Sequence, residues 1–184
     1  QSCVAVINAG SSSIKFALYE AGRAGLLLFR GQVEGIGVDP HLEARDVAGA
    51  TVAERHWTRA ELDHHRATAE ILTLGQKLLA GRPVLGVGHR VVHGGTEFAG
   101  PVRIDQAVIA SLKKLVPLAP LHEPHNLAPI EAIAASQPDL PQVACFDTAF
   151  HRSQPAVAQE FAVPRELTDA GVRRYGFHGL SYDF

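Results

Sequence analysis

The sequence is poor in several residue types that mark particular classes of protein. Its 184 residues include no methionine, one tryptophan and only two cysteines, Cys3 and Cys145. Both cysteines lie in apolar runs that are predicted to be strands. We therefore expect buried free thiols, which fit a protein of the reducing cytoplasm.

Strong charge and long apolar runs are also missing. The formal net charge is −2, which argues against the broad basic surface that nucleic-acid binding needs. Even the longest apolar runs are short, such as residues 25–29, so no segment is expected to span a membrane. Hydrophobic residues make up 46% and charged residues 20%, a balance that is typical of a globular protein and excludes general disorder.

Apolar runs and turn residues predict an α/β protein with a mixed sheet. Strands are predicted over residues 3–7, 14–19, 26–36, 42–46, 51–57, 84–92 and 143–146. Helices are predicted from a Thr58–Glu61 capping box to Leu79, from Asp105 to Leu115, from an Asn126 cap to Gln137, and over residues 164–170. The first three strands predict an antiparallel meander, and the later alternation of helices and strands predicts helices packed on the sheet.

A turn of small polar residues follows the first predicted strand. It runs over residues 8–13, and Lys15 comes two residues later. Consecutive backbone N–H groups, serine hydroxyls and a nearby cation can bind a phosphate group. The turn lacks the GxxxxGK[ST] pattern of a P-loop. It is therefore either a phosphate-binding turn or an ordinary polar hairpin turn.

Arg90 lies near the end of the strand predicted over 84–92, next to two histidines and two glycines. A guanidinium group suits a phosphate or a carboxylate, although a surface ion pair is the alternative. His89 and His93 would lie about 13 Å apart on a strand. The segment also lacks the glutamate of an HExxH motif. This disfavours a zinc site, and with it a metal-dependent hydrolase.

Three more polar side chains stand in constrained positions. His122 lies in a proline-rich loop and is either a donor to an anionic reactant or a simple loop histidine. Asp147 follows a buried strand, where it can bind magnesium, orient an arginine or cap the next turn. His178 lies between glycines and can stabilise a phosphoryl group. The clusters together fit phosphoryl transfer, in which catalysis is mainly positioning and charge stabilisation.

Five blocks of the sequence resemble, in the same order, those of the acetate kinase family. They are VINAGSSSIKF at 6–16, GHRVVHGG at 88–95, PLH at 120–122, FDTAFH at 146–151 and RYGFHG at 174–179. The resemblance extends over residues 4–182. It implies the actin-like (ribonuclease H-like) fold shared with sugar kinases and Hsp70. It also implies a homodimer that reversibly transfers the ATP γ-phosphoryl to acetate with Mg²⁺, giving acetyl phosphate and ADP.

The resemblance also implies a role for each matching residue. The catalytic residues would be Arg90, His122, Asp147 and His178. Acetate would contact Arg90, Val92, Leu121 and Phe177, the last three around its methyl group. The nucleotide phosphates would contact Asn8, Ser11, Ser13 and Lys15, with Asn8 and Asp147 also serving the metal.

Members of this family are about twice as long as the sequence. We therefore expect residues 1–184 to be an N-terminal actin-like domain, a fragment without the C-terminal nucleotide-binding domain and without appreciable turnover alone. A propionate or butyrate kinase stays open, because one methylene gives only about 1–3 kcal/mol of discrimination. A non-catalytic fragment that binds phosphate is a further alternative.

Overall fold

One eight-stranded mixed sheet organises the protein. The computed structural model describes residues 1–22 and 25–184. The strands are β1 (Cys3–Ala9), β2 (Ile14–Glu20), β3 (Leu27–Glu34), β4 (His41–Asp46), β5 (Thr51–His56), β6 (Val84–Val91), β7 (Val102–Arg103) and β8 (Gln142–Phe146). Their order in the sheet is β5-β4-β3-β2-β1-β6-β8-β7. The two-residue strand β7 was not predicted, because it is too short to show a period.

The predicted opening meander is confirmed and has five strands. Strands β1 to β5 pair antiparallel, each with the next. Strand β6 then pairs parallel with β1, and β8 pairs parallel with β6. The carboxyl ends of β1, β6 and β8 therefore meet at one edge of the sheet. The turn predicted at residues 21–25 includes residues 23 and 24, which lie outside the described residues.

Six helices complete the described part of the chain. They are α1 (His64–Leu79), α2 (Gln106–Lys114), α3 (Glu123–Ser136), α4 (Ala156–Gln159), α5 (Arg165–Asp169) and α6 (Gly179–Tyr182). Short 3₁₀ turns cover Val116–Leu118 and Phe150–Ser153. The predicted Asp105 cap is confirmed, since its carboxylate accepts from the N–H of Val108 at 2.8 Å. Among the described helices, none is long and apolar enough to cross a bilayer.

The predicted start of α1 is wrong by several residues. Glu61 does accept hydrogen bonds from the backbone N–H and hydroxyl of Thr58, at 2.7 and 2.8 Å. This contact closes a turn rather than a helix. The helix begins after Asp63, whose carboxylate accepts from the N–H of Arg66 at 2.8 Å. Asp63 thus accepts a hydrogen bond from a backbone N–H of the first turn that has no partner within the helix, so it is the residue that caps the helix.

The predicted start of α3 is also wrong, because Asn126 is not its cap. The helix begins at Glu123, with Pro124 in its first turn. Proline is tolerated there because its missing N–H would have no intrahelical partner. Asn126 lies inside the helix, and its buried amide bonds to strands of the sheet instead.

The two faces of the sheet differ. One face packs against helices, with Ile7, Ile71 of α1 and Ile133 of α3 in a single core cluster. The opposite face exposes Val4 and Val6 of β1. Both cysteines are free, Cys3 being buried as predicted and Cys145 only half-buried. Because alternate strand residues share a face, Asn8 lies on the open face with Val4 and Val6.

Candidate active site

Three polar side chains converge where β1, β6 and β8 end. Arg90 of β6 donates from Nε and Nη2 to the two carboxylate oxygens of Asp147, at 3.1 and 2.6 Å. Its Nη1 donates to Oδ1 of Asn8 at 3.3 Å. Asp147 is buried directly after β8, and Arg90 is half-buried. The parallel strand ends therefore bring together three residues that are far apart in the sequence.

The Arg90–Asp147 pair fixes a cation at this edge. The bidentate geometry holds the guanidinium plane in one orientation. These contacts engage three of its five N–H groups, so the guanidinium retains donors for an anion. Of the roles considered for Asp147, the structure shows that it orients an arginine.

The small polar turn lies beside this cation. Asn8 and Lys15 are directly opposite each other in the β1–β2 ladder, so they share a face. Within the turn, the N–H of Gly10 donates to the carbonyl oxygen of Ser13 at 2.7 Å. Ser11 and Lys15 are exposed, and Ser13 is half-buried. The open face thus presents the amide of Asn8, which contacts Arg90, and the ammonium group of Lys15 on the neighbouring strand.

Asn126 of α3 connects the ends of two strands. Its Oδ1 accepts from the N–H of Val92 at 2.8 Å, and its Nδ2 donates to the carbonyl oxygen of Ala9 at 2.7 Å. The residue therefore holds β1 and β6 in register next to Asn8 and Arg90. Sequence reasoning missed this role. The available signal was an asparagine within an apolar helical segment, where its amide needs partners.

The start of α3 is attached to the loop after β6. The buried carboxylate of Glu123 accepts from the backbone N–H of His93 at 3.3 Å. Leu121 and His122 lie just before this contact, and both are exposed, Leu121 by 72%. The proline-rich loop therefore presents these two side chains to solvent near the end of β6.

The segment with Tyr175 and His178 contacts the loop after β6 and the end of β8. The His93 ring packs edge-on against Tyr175, with centroids 4.4 Å apart, and against Phe177 at 5.8 Å. The N–H of Gly179 donates to the carbonyl oxygen of Asp147 at 2.9 Å. His178, which precedes it, is exposed with a φ of 58°. The structure thus places Phe177 and His178 beside the end of β8.

Gly179 is expected to tolerate no larger side chain. A Cβ atom there would lie 2.2 Å from the Asp147 carbonyl oxygen and 2.7 Å from Cβ of Phe150. We expect Gly179→Ala to lower the free energy of unfolding by about 1–3 kcal/mol, because backbone must move. Urea denaturation measures the change, with Gly100→Ala as the control, since a Cβ at Gly100 meets nothing within 4 Å. Equal stability of the two variants would contradict this packing.

Buried titratable groups lie behind the site. Burial raises the pKa of Glu123 to about 7, and it lowers the pKa of His89 to about 4. Burial also lowers the pKa of His93. His89 Nε2 lies 2.7 Å from Oε1 of Gln142 and donates to it, and the lowered pKa keeps the ring neutral at pH 7. His93 Nδ1 accepts from the N–H of Gly95 at 2.9 Å. One nitrogen of each ring is thus engaged within the protein.

The donor chemistry at the edge fits magnesium. Asn8 and Asp147 offer amide and carboxylate oxygens, which hard divalent cations prefer. In this structure these oxygens contact Arg90. Mg²⁺ usually keeps several waters and takes only one or two protein carboxylates together with substrate phosphates. The residues present therefore suit an ion that arrives with a nucleotide rather than a closed protein cage.

The mixed sheet and its strand-end site define an actin-like domain. The chain belongs to the acetokinase family, whose model matches residues 3–184. It is 49% identical over 182 residues to an acetate kinase of Rhodopseudomonas palustris, covering 97% of this chain and 46% of that relative. The family resemblance stated from the sequence is thus confirmed. The chain spans about half the length of the curated relatives it matches.

Solved structures give the same fold. The crystal structure of Porphyromonas gingivalis acetate kinase matches with a TM-score of 0.84 and 35% identity, covering 100% of this chain and 47% of that one. A propionate kinase from Francisella tularensis matches with a TM-score of 0.86 and 33% identity, covering 100% of this chain and 47% of that one. The predicted actin-like fold class is confirmed.

Proposed function

We propose that the strand-end site serves reversible, Mg²⁺-dependent transfer of the ATP γ-phosphoryl group to acetate, giving acetyl phosphate and ADP. The observation that carries the proposal is Arg90, held by Asp147 and Asn8 beside an exposed polar turn. Relatives named acetate kinase support the choice of acceptor. The activity is proposed for the whole protein, since the chain spans about half the length of those relatives.

The chemistry requires fixed positive charge rather than a general base. Acetate is already a carboxylate nucleophile, so no proton must be removed before it attacks. Its approach to the γ-phosphoryl group brings two anions together, and preorganised donors must offset that repulsion. Arg90 meets this need, because Asp147 orients its guanidinium and the half-buried position limits screening by water. We assign Arg90 to the acetate carboxylate and the transferring group.

The remaining polar residues surround that position. His122 and His178, both exposed near the strand ends, donate hydrogen bonds to the phosphoryl oxygens. The nucleotide phosphates contact the turn with Ser11 and Ser13, together with Lys15. Asn8 and Asp147 would hold Mg²⁺ through their side-chain oxygens, and the ion would neutralise part of the phosphate charge.

Val92, Leu121 and Phe177 are proposed to enclose the methyl group of acetate. Val92 is half-buried, directly after β6, and the other two are exposed on the neighbouring segments. A propionate kinase is the second candidate, because a propionate kinase structure superposes over the whole chain. Both acceptors use the same carboxylate chemistry, so only the volume of this pocket separates them.

Val92→Ala is expected to favour the longer acid. Removing two carbon atoms from the pocket should raise the ratio of kcat/KM for propionate over acetate by about tenfold, since a methylene is worth about 1–3 kcal/mol. Initial rates with each acid measure the ratio. Val6→Ala is the control, because Val6 is exposed on β1 outside the proposed pocket. An unchanged ratio in Val92→Ala would remove Val92 from the pocket.

Domain organisation, assembly and location also belong to this proposal. We propose that residues 1–184 form the N-terminal actin-like domain. We also propose that turnover requires a second part, equivalent to the half of the relatives that this chain does not match. Cytoplasmic location and homodimer formation stay predictions. The propionate, butyrate and phosphate-binding alternatives are separated by the experiment below.

Acetyl phosphate formation tests the proposed function. The product of the whole gene and residues 1–184 alone are each supplied with ATP, Mg²⁺ and acetate, propionate or butyrate, and acyl phosphate is trapped as the hydroxamate. We expect product from acetate with the whole protein and none from residues 1–184. Faster product formation from a longer acid would favour that acid as substrate. A folded whole protein that binds ATP but forms no acyl phosphate would contradict the proposal.

A further inference from the structure

Metal-binding side chains meet on the outer β4–β5 hairpin, outside the strand-end site. His41 of β4 and His56 of β5 are directly opposite each other in the ladder. Glu54 precedes His56 by two residues, so it lies on the same face of β5. Four strand spacings separate β4 from β6, about 19 Å in all, so the cluster is distinct from Arg90.

The three potential ligand atoms are already close. Nε2 of His41 lies 3.1 Å from Oε1 of Glu54, and Nε2 of His56 lies 3.7 Å from the same oxygen. A tetrahedral Zn²⁺ with bonds of about 2.0–2.1 Å places its ligand atoms about 3.3 Å apart. The observed separations lie on either side of that value. Two imidazoles and one carboxylate are also a donor set that zinc uses, with water in the fourth position.

A second carboxylate stands behind the first histidine. Oε1 of Glu34 lies 3.8 Å from Nδ1 of His41, on the opposite side of the ring from Glu54. The Gln32 side chain donates to the other oxygen of Glu34 at 3.0 Å. A histidine that binds a metal through one nitrogen commonly directs its other N–H toward a carboxylate, which orients the ring. At 3.8 Å this contact is longer than a hydrogen bond, so Glu34 serves His41 in this way only after its exposed side chain turns toward the ring.

The cluster is open to an ion, and one ring is able to adjust. The two imidazole rings are stacked, with centroids 4.1 Å apart and planes at 10°. Stacked rings direct their nitrogens in parallel, so one ring must turn to share an ion. The His56 side chain is 66% exposed, whereas that of His41 is 24% exposed. His56 therefore has room to rotate toward an ion held by His41 and Glu54.

We propose that His41, Glu54 and His56 bind a divalent transition-metal ion of the Zn²⁺ type. The imidazole donors favour such an ion over Mg²⁺, which prefers oxygen ligands. A bound ion joins β4 to β5 and so stabilises the hairpin at the outer end of the sheet. The two histidines also line the groove that contains Ser12, Ser13 and Lys15. The site stands on its own geometry and does not depend on the proposed phosphoryl transfer.

Direct titration with Zn²⁺ tests the site. Purified protein is freed of metal with a chelator. Zn²⁺ binding is then measured by calorimetry, and the affinity is measured by absorbance in competition with a chromophoric chelator. We expect one ion per chain, a rise in the thermal unfolding midpoint, and no displacement by excess Mg²⁺. Co²⁺ in the same protein should give the visible absorption of a tetrahedral site. Stoichiometric binding without any such spectrum would contradict the proposed ligand set.

Substitutions connect the binding to these residues. His56→Ala and Glu54→Gln should weaken Zn²⁺ binding by about 100-fold or more, beyond the 10- to 100-fold that outer-shell partners contribute. Glu34→Gln should weaken it by less. His65→Ala is the matched control, since His65 is exposed on α1. All four positions are exposed, and circular dichroism verifies that each variant is folded. Unchanged affinity in His56→Ala, or no binding by the unaltered protein, would overturn the proposal.

Discussion

Arg90→Ala is expected to lower the turnover of the whole protein by about 10³-fold or more. That factor is the contribution of an arginine that stabilises a transferring phosphoryl group. Arg90 is the fixed cation at the point where the proposed acetate and γ-phosphoryl anions meet, and Asp147 and Asn8 set its orientation. Steady-state acetyl phosphate formation gives the measurement. Arg30→Ala is the control, since Arg30 is exposed on β3 of the same sheet.

Arg90→Lys tests whether orientation matters as well as charge. An ammonium group keeps the charge but cannot make the bidentate contact with Asp147. We expect turnover to fall by about 10²-fold, the effect of removing one preorganised donor. Activity within a few-fold of the unaltered protein would show that a point charge is sufficient.

Loss of folding must be separated from loss of chemistry. Removing Arg90 alone leaves the buried Asp147 carboxylate unpaired, which should cost less than the ~3–5 kcal/mol of a fully buried ion pair, since Arg90 is only half-buried. The double variant Arg90→Ala with Asp147→Ala removes both charges and should regain part of that stability. Turnover should stay low in the double variant. A stable double variant with nearly full activity would contradict the assignment of Arg90.

Glu123→Gln is expected to change how stability depends on pH by about 3 kcal/mol. The folded protein holds the Glu123 proton up to a pKa of about 7, whereas the reference value is 4.5. Unfolding therefore releases a proton between these two values, and the free energy of unfolding falls as pH rises through that window. The variant lacks this effect. As the pH rises from 5 to 8, the free energy of unfolding of the variant should increase by about 3 kcal/mol relative to that of the unaltered protein.

His89 acts in the opposite direction over nearly the same range. Burial lowers its pKa from 6.5 to about 4. Unfolding therefore takes up a proton between those values, so the free energy of unfolding rises with pH. The two effects oppose each other in the unaltered protein. In Glu123→Gln the effect of His89 is no longer opposed by Glu123, and stability should fall steadily as the pH drops from 6.5 to 4.

Urea denaturation at a series of pH values measures both effects. Glu160→Gln is the matched control, because Glu160 is exposed. Its pH profile should follow that of the unaltered protein. A constant difference between Glu123→Gln and the unaltered protein from pH 5 to pH 8 would show that Glu123 does not carry the raised pKa.

The local sequence pattern was sufficient to predict the strands of the sheet, but it did not predict where helices α1 and α3 begin. Alternation and turn residues predicted the strands of the meander, because one buried face imposes a period of two. The start of α1 was misplaced because the Thr58–Glu61 contact closes a turn, whereas Asp63 accepts from the first turn of the helix. The start of α3 was misplaced because Asn126, predicted as its cap, bonds instead to Ala9 of β1 and to Val92 after β6. These partners are distant in the sequence, so the sequence shows only that the amide needs partners.

The candidate site was predictable to the extent that strand ends define it. Arg90 and Asp147 both follow apolar runs, so parallel pairing of their strands was enough to place them together. The roles of Val92, Leu121 and Phe177 came only from the family resemblance, since apolar residues carry no mark of a ligand. The His41–His56 pair was missed because it depends on the register of the β4–β5 hairpin. A slip of one residue would put the two rings on opposite faces.

Isotope transfer tests the central claim most directly, that an acetate oxygen attacks the γ-phosphorus beside Arg90. The whole protein is supplied with ATP, Mg²⁺ and ¹⁸O-labelled acetate, and the products are examined by ³¹P NMR. The account predicts ¹⁸O in the bridge between carbon and phosphorus of acetyl phosphate, seen as an isotope shift of that signal, with unlabelled ADP. Label in acetyl adenylate, formed with release of pyrophosphate, would instead show attack at the α-phosphorus and would contradict the account.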